Sequence, residues 1–176
     1  MSEEPRTTAQ PSTAREKHTL LVVGSGEVAT ALEPIAEVLG WRPVIVDDLA
    51  GAEERLEDAD SVVVLSHHDG VDAPALKAAL AAGRATYIGA MGSRRTQARR
   101  REWMVENGVP EEALDSVHGP AGLDIGANTP AEIAVSIVAE VLAVRHGRTA
   151  DVSALSDRSG PIHPELEPGT AECPAG

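Results

Sequence analysis

Phenylalanine is absent from this 176-residue chain, and one Tyr and two Trp supply all of its aromatic side chains. The core must therefore be built from Val, Leu, Ile and Ala, which suits a parallel sheet buried between Ala-rich helices. A single Cys, Cys173, excludes a disulfide framework and a Cys-rich metal site. Positive charge is scarce: 15 Lys and Arg stand against 28 Asp and Glu, a net charge of −13. That balance argues against nucleic acid or an anionic membrane surface as a partner. No apolar run approaches the length of a membrane span. The stretch from Met1 to Lys17 is polar and lacks the apolar centre of a signal peptide. The expected compartment is the cytoplasm, and the length suffices for one domain with a real core.

What is present divides into three parts. Residues 1–17 read as a disordered leader rich in Ser, Thr, Pro and charge. Residues 149–176 read as a disordered tail, interrupted by Pro161, Pro164, Pro168 and Pro174. Between them, in 18–148, strands and helices alternate. Strands are expected at 19–23, 43–46, 61–65 and 85–88, and helices at 26–39, 52–58, 71–82, 94–106 and 130–146. Pro34 is expected to kink the first helix. The alternation predicts an α/β fold: a Rossmann-like, mostly parallel open sheet with helices on both faces. In such sheets ligands bind outside the carboxyl ends of the strands, where strand order switches. The loops that follow the strands are therefore the places to look.

After the first strand comes Gly24-Ser25-Gly26-Glu27-Val28-Ala29, a G-x-G-x-x-A turn leading into a helix. This is the layout of a dinucleotide-binding fingerprint. Gly24 permits the tight turn, Gly26 lets backbone approach a pyrophosphate, and Ala29 lets the helix pack closely on the sheet. The first helical turn offers free N–H groups and the positive end of a dipole. Glu27 reads as a solvated first-turn acid. About 20 residues past the glycines, where a ribose acceptor is expected, stands Asp47. A carboxylate there favours an NAD-like ribose over a 2′-phosphate.

After the third strand, Ser66-His67-His68-Asp69 offers two polar cleft residues, Ser66 and His67, with His68 and Asp69 capping the next helix. Adjacent His side chains diverge and no spacing supplies a third ligand, so no metal site is expected. After the fourth strand comes Gly92-Ser93-Arg94-Arg95, where Ser93 is a natural N-cap and the two Arg can add guanidinium donors beside a helix start. Arg99, Arg100 and Arg101 read as a solvated face paired with acids. A turn-rich segment, His118 through Asn128, then carries Gly122 and Asp124 into Thr129-Pro130-Ala131-Glu132. The last four residues form a capping box with Pro at the first helical position. Asp124 is either a ligand-facing carboxylate or a turn-stabilising acid.

These segments together resemble a known family. Gly92-Ser93-Arg94-Arg95, then His118, then Gly122-Leu123-Asp124-Ile125-Gly126-Ala127 followed by Thr129-Pro130 and Glu132-Ile133-Ala134, are similar to the carboxyl-terminal Rossmann domain of the xanthine dehydrogenase accessory family, XdhC/CoxI type. The resemblance runs from about His18 to Arg148. It implies a cofactor-binding maturation factor for molybdenum hydroxylases such as xanthine or carbon monoxide dehydrogenase, one that handles the molybdenum cofactor and meets the apoenzyme. It further implies a phosphorylated pterin or a dinucleotide as ligand, held by Gly24, Ser25, Gly26, Val28, Asp47, Ser66, His67, Gly92, Ser93, Arg94, Arg95, His118, Gly122 and Asp124. Nothing in this chain corresponds to the additional amino-terminal domain that family members often carry. A homodimer is plausible for so small a domain.

No nucleophile–base pair stands out, so no catalytic residue is expected. Two other readings compete. One is an NAD-dependent oxidoreductase with His67 or His118 as acid/base. The other is a docking scaffold that binds no small molecule.

Overall fold

The apolar runs form strands: β1 (Thr19–Val23), β2 (Arg42–Val46), β3 (Ser61–Val64), β4 (Tyr87–Ala90) and β5 (Val117–His118). The computed structural model that shows this describes residues 17–148 and Val152. The expected leader and tail, with Cys173, otherwise lie outside the described residues. All strand pairs are parallel, in the order β2-β1-β3-β4-β5. Order reverses between β1 and β3, so the fold is the expected doubly wound, Rossmann-like α/β sheet with its switch point there.

Six helices connect and cover the strands: α1 (Glu27–Val38), α2 (Leu49–Glu53), α3 (Asp69–Ala82), α4 (Arg94–Glu106), α5 (Glu111–Leu114) and α6 (Pro130–Arg145). Neighbouring strand residues face opposite ways, which splits the core in two. Leu20, Val22, Val63 and Tyr87 pack with Leu32 and Ala36 of α1, Trp41, and Ile137 and Val141 of α6. On the other face Leu21, Val23, Val62, Val64 and Ile88 pack with Ala52, Leu76, Ala79, Met104 and Leu114. Every residue of β1 and β3 is buried, which explains runs without polar alternation. Ala29 is fully buried at the close contact of α1 with the sheet.

Several boundaries differ from expectation for identifiable reasons. The second helix starts at Leu49 because the Asp48 carboxylate accepts from Gly51 N at 2.7 Å; a 3₁₀ turn, Leu56–Asp58, follows it. The fourth strand is 87–90, two residues later than expected. Gly89 belongs to it because the Tyr87 side chain lies across that position, where a Cβ would be 2.5 Å from the phenolic oxygen. The third helix begins at Asp69, two residues early. The first continues through Pro34 to Val38. Among the described residues no helix is long and apolar enough to cross a membrane.

Candidate functional site

The chain leaves β1 at Gly24 with φ +112°, and a Cβ there would sit 2.6 Å from Ser66 N at the exit of β3. Gly24 N donates to Val46 O of β2 at 2.7 Å. Three strand exits thus meet around one glycine, for reasons of both conformation and space. Gly26 is different. Its φ of −68° and ψ of −176° suit any residue, and a Cβ there would meet nothing within 4 Å. Neither conformation nor internal packing asks for glycine at this position. The consequence of having one is that α1 starts with no side-chain cap, so its first N–H groups stay open to a ligand.

A cleft of about 510 Å³ opens at this point, within the usual range for small-molecule sites. It is lined by the segment Gly24–Ala29, by Asp47, by Leu65–His68, and by Met91 and Pro130. Seven of the expected site residues are brought together here: Gly24, Ser25, Gly26, Val28, Asp47, Ser66 and His67. Asp48 is spent on its cap, whereas its neighbour Asp47 is exposed in the cleft wall. Ser66 is buried and its Oγ accepts from His68 N at 3.1 Å, which fixes the turn that presents His67. His68 occupies the N-cap position of α3, but its side chain makes no cap hydrogen bond, contrary to expectation. The lining carries two carboxylates, Glu27 and Asp47, and neither Lys nor Arg. Positive potential in the cleft therefore comes from the α1 terminus and from the two His when protonated.

The other expected site residues lie around the β4 and β5 exits. Ser93 caps α4, its Oγ accepting from Thr96 N at 3.2 Å, while Arg94 and Arg95 are exposed at the start of that helix. Gly92 has φ +134°, and its missing Cβ leaves room for Thr96 and the Arg100 guanidinium. Arg100 corrects the expectation of a solvated face: it is 4% exposed, with Nη1 donating to Met91 O at 2.6 Å and Nη2 pairing with Asp72 at 2.5 Å. Arg101 does pair on the surface, with Asp115.

His118 and Gly122 converge on a carboxylate that sequence reasoning missed. Glu140 of α6 accepts from Tyr87 Oη at 2.6 Å, from Gly122 N at 2.7 Å and pairs with His118 Nδ1 at 3.0 Å. Burial pushes its carboxyl up, but the hydrogen bonds from His118, Tyr87 and Gly122 outweigh it and hold the group below its ordinary value. Burial, with the hydrogen bond to Glu140, drives the Tyr87 phenol far above its usual range. The Tyr87 and His118 rings stack 4.7 Å apart. Gly122 has φ +108°, and its absent Cβ makes room for Ser136, whose Oγ donates to Leu123 O at 2.7 Å. This lock holds the 119–129 loop on α6. Gly126 has φ +75° within it, and Asp124 is exposed. The expected capping box closes the loop. The Glu132 carboxylate, held low by the backbone N–H groups of Thr129 and Asn128, accepts at 2.9 and 2.8 Å, and Glu132 N donates to Thr129 Oγ1 at 3.3 Å.

Fold and cleft together define a Rossmann-type domain whose candidate site lies at the switch point of a parallel sheet, over an uncapped helix start. The chain belongs to the XdhC Rossmann domain family, whose match covers residues 20–141. It is 32% identical over 127 residues to the molybdenum cofactor insertion chaperone PaoD of Escherichia coli, covering 72% of this chain and 40% of PaoD. It is 29% identical over 148 residues to the uncharacterized protein YqeB of E. coli, covering 72% of this chain and 27% of YqeB. A crystal structure of a xanthine dehydrogenase from Bacillus halodurans superposes with a TM-score of 0.59 at 26% identity, covering 80% of this chain and 46% of that one. The chain thus spans well under half the length of either curated relative.

Proposed function

We propose that this domain binds the phosphorylated tail of the molybdenum cofactor, or a dinucleotide, in the cleft between β1 and β3, and serves the maturation of a molybdenum hydroxylase. The observation that carries this reading is Gly26: a glycine with no internal need to be one, at the mouth of an uncapped helix. A phosphate or pyrophosphate accepts from those N–H groups. Asp47 across the cleft accepts from a ribose diol. Ser66 and His67 form the polar wall where the pterin end lies. Arg94, three residues past Met91 and free of any ion pair among the described residues, supplies a cation to the ligand's charge. The molybdenum cofactor is cargo here, passed to the apoenzyme in the cytoplasm. The similarity to PaoD, a molybdenum cofactor insertion chaperone, supports this assignment.

The test is native mass spectrometry of the full chain purified from its source, followed by calorimetric titration of the emptied protein with NAD and with a pterin monophosphate. A retained or titratable ligand lost in Gly26→Val supports the reading. Failure of both probes, with maturation of the client unaffected by Gly26→Val, favours a docking scaffold. Turnover of NAD would favour an oxidoreductase, with His67 as its acid/base, since His118 is committed to Glu140.

A further inference from the structure

The structure assigns a positioning role to the buried Arg100–Asp72 pair: it braces two walls of the cleft, the exit of β4 and the start of α3, against each other. This rests on the cleft being a ligand site. Arg100 lies on α4 and Asp72 in the first turn of α3, both at least nineteen-twentieths buried by side chain. The guanidinium reaches in two directions. Nη1 holds the carbonyl of Met91, a cleft residue, and Nη2 holds the Asp72 carboxylate. Asp72 N in turn donates to His68 O at 3.0 Å, and His68 lines the cleft as well. Met91 on one side and His67-His68 on the other are thereby tied through one planar group. Gly92 permits the approach, since a Cβ there would lie 3.3 Å from Nη1.

The pair is poorly suited to a purely structural task. Its contact is a single N···O bond, and Asp72 Oδ1 and Arg100 Nε, both buried, have no partner among the described residues. A buried ion pair with unsatisfied atoms stabilises a fold less than two apolar side chains of the same size. What it does provide is direction: a rigid fork that sets the Met91 carbonyl and the Asp72 carboxylate relative to each other.

The test compares the full chain with Arg100→Lys and with the double variant Arg100→Met/Asp72→Leu, by hydrogen exchange and by calorimetric titration with NAD. In the double variant the melting temperature stays within a few degrees of the parent. Amides of residues 66–72 and 91–94 exchange at least tenfold faster, the rest of the sheet is unchanged, and NAD affinity falls about tenfold. Arg100→Lys falls between, because an ammonium cannot serve both acceptors in one plane. Unchanged exchange in those two segments, or acceleration spread evenly over all helices, overturns the brace. Should the double variant not fold, the exchange pattern of Arg100→Lys decides by the same criterion. Should the parent bind neither NAD nor a pterin monophosphate, the ligand reading falls while the exchange data still decide whether the two walls are tied.

Discussion

Gly24 and Ser66 approach more closely than any side chain at position 24 would allow, with a built Cβ only 2.6 Å from the Ser66 nitrogen. Because that nitrogen is backbone and donates to Val23 O at 2.9 Å, it cannot yield without breaking the β1–β3 contact.

Gly24→Ala is therefore expected to be strongly destabilising. It combines a positive φ with an overpacked contact, at a cost of about 2 kcal/mol or more. Thermal unfolding of the variant checks this, and an unchanged melting temperature would contradict the close approach.

Gly26→Ser is expected to do the reverse. A serine at the N-cap suits the local backbone and caps α1, so stability holds or rises by a few tenths of a kcal/mol. The same hydroxyl occupies the N–H groups that the ligand's phosphate would use, so NAD affinity drops. Stability and binding moving in opposite directions is the signature, read by paired thermal melts and calorimetry.

Two adjacent carboxylates separate in the same way. Asp48→Ala removes a helix cap and lowers stability by about 1 kcal/mol. Asp47→Ala leaves stability within about 0.5 kcal/mol and weakens a ribose-bearing ligand by about tenfold, the loss of one charge-assisted hydrogen bond. Urea unfolding and NAD titration of both variants check the assignment. Equal effects of the two on binding would remove Asp47 from the site.

Glu140 gives the fold an acid-sensitive component. Its folded carboxyl titrates below the ordinary 4.5, so the unfolded chain takes up that proton first. The stability it contributes is complete above about pH 5 and is lost as pH falls through the folded value. Glu132 shifts in the same direction and remains in both proteins compared. Glu140→Gln is expected to lower stability at neutral pH by about 1–3 kcal/mol and to flatten the decline on the acid side. Urea midpoints across this range measure both effects, and parallel curves would assign the acid sensitivity elsewhere.

The strands and the turn at Gly24 were legible because burial on both faces leaves unbroken runs such as Ser61-Val62-Val63-Val64 and because the positive φ and close approach at the exit of β1 need glycine. The Thr129–Glu132 box was legible because its hydrogen bonds are local. The short elements α5 and β5 were not: four residues and two carry no periodicity. Arg100 was misread because five Arg in eight positions look like surface. Its spacing from Met104, i to i+4, places it on the buried stripe of α4 and was the available signal. Glu140 stands three residues past Ile137 beside an apolar face, and its partners Tyr87, His118 and Gly122 come from distant segments that no local pattern links.

The pairing of α1 with α6 on one face of the sheet has a consequence for the order of assembly. The helix whose start faces the cleft rests on the last helix of the described fold, so on the ribosome it emerges long before its support does. Until Ile137 and Val141 leave the exit tunnel, the apolar side of α1 has only the sheet to lie on. The wall of the cleft built on α1 thus gains its full backing only once α6 has been made and can fold against it.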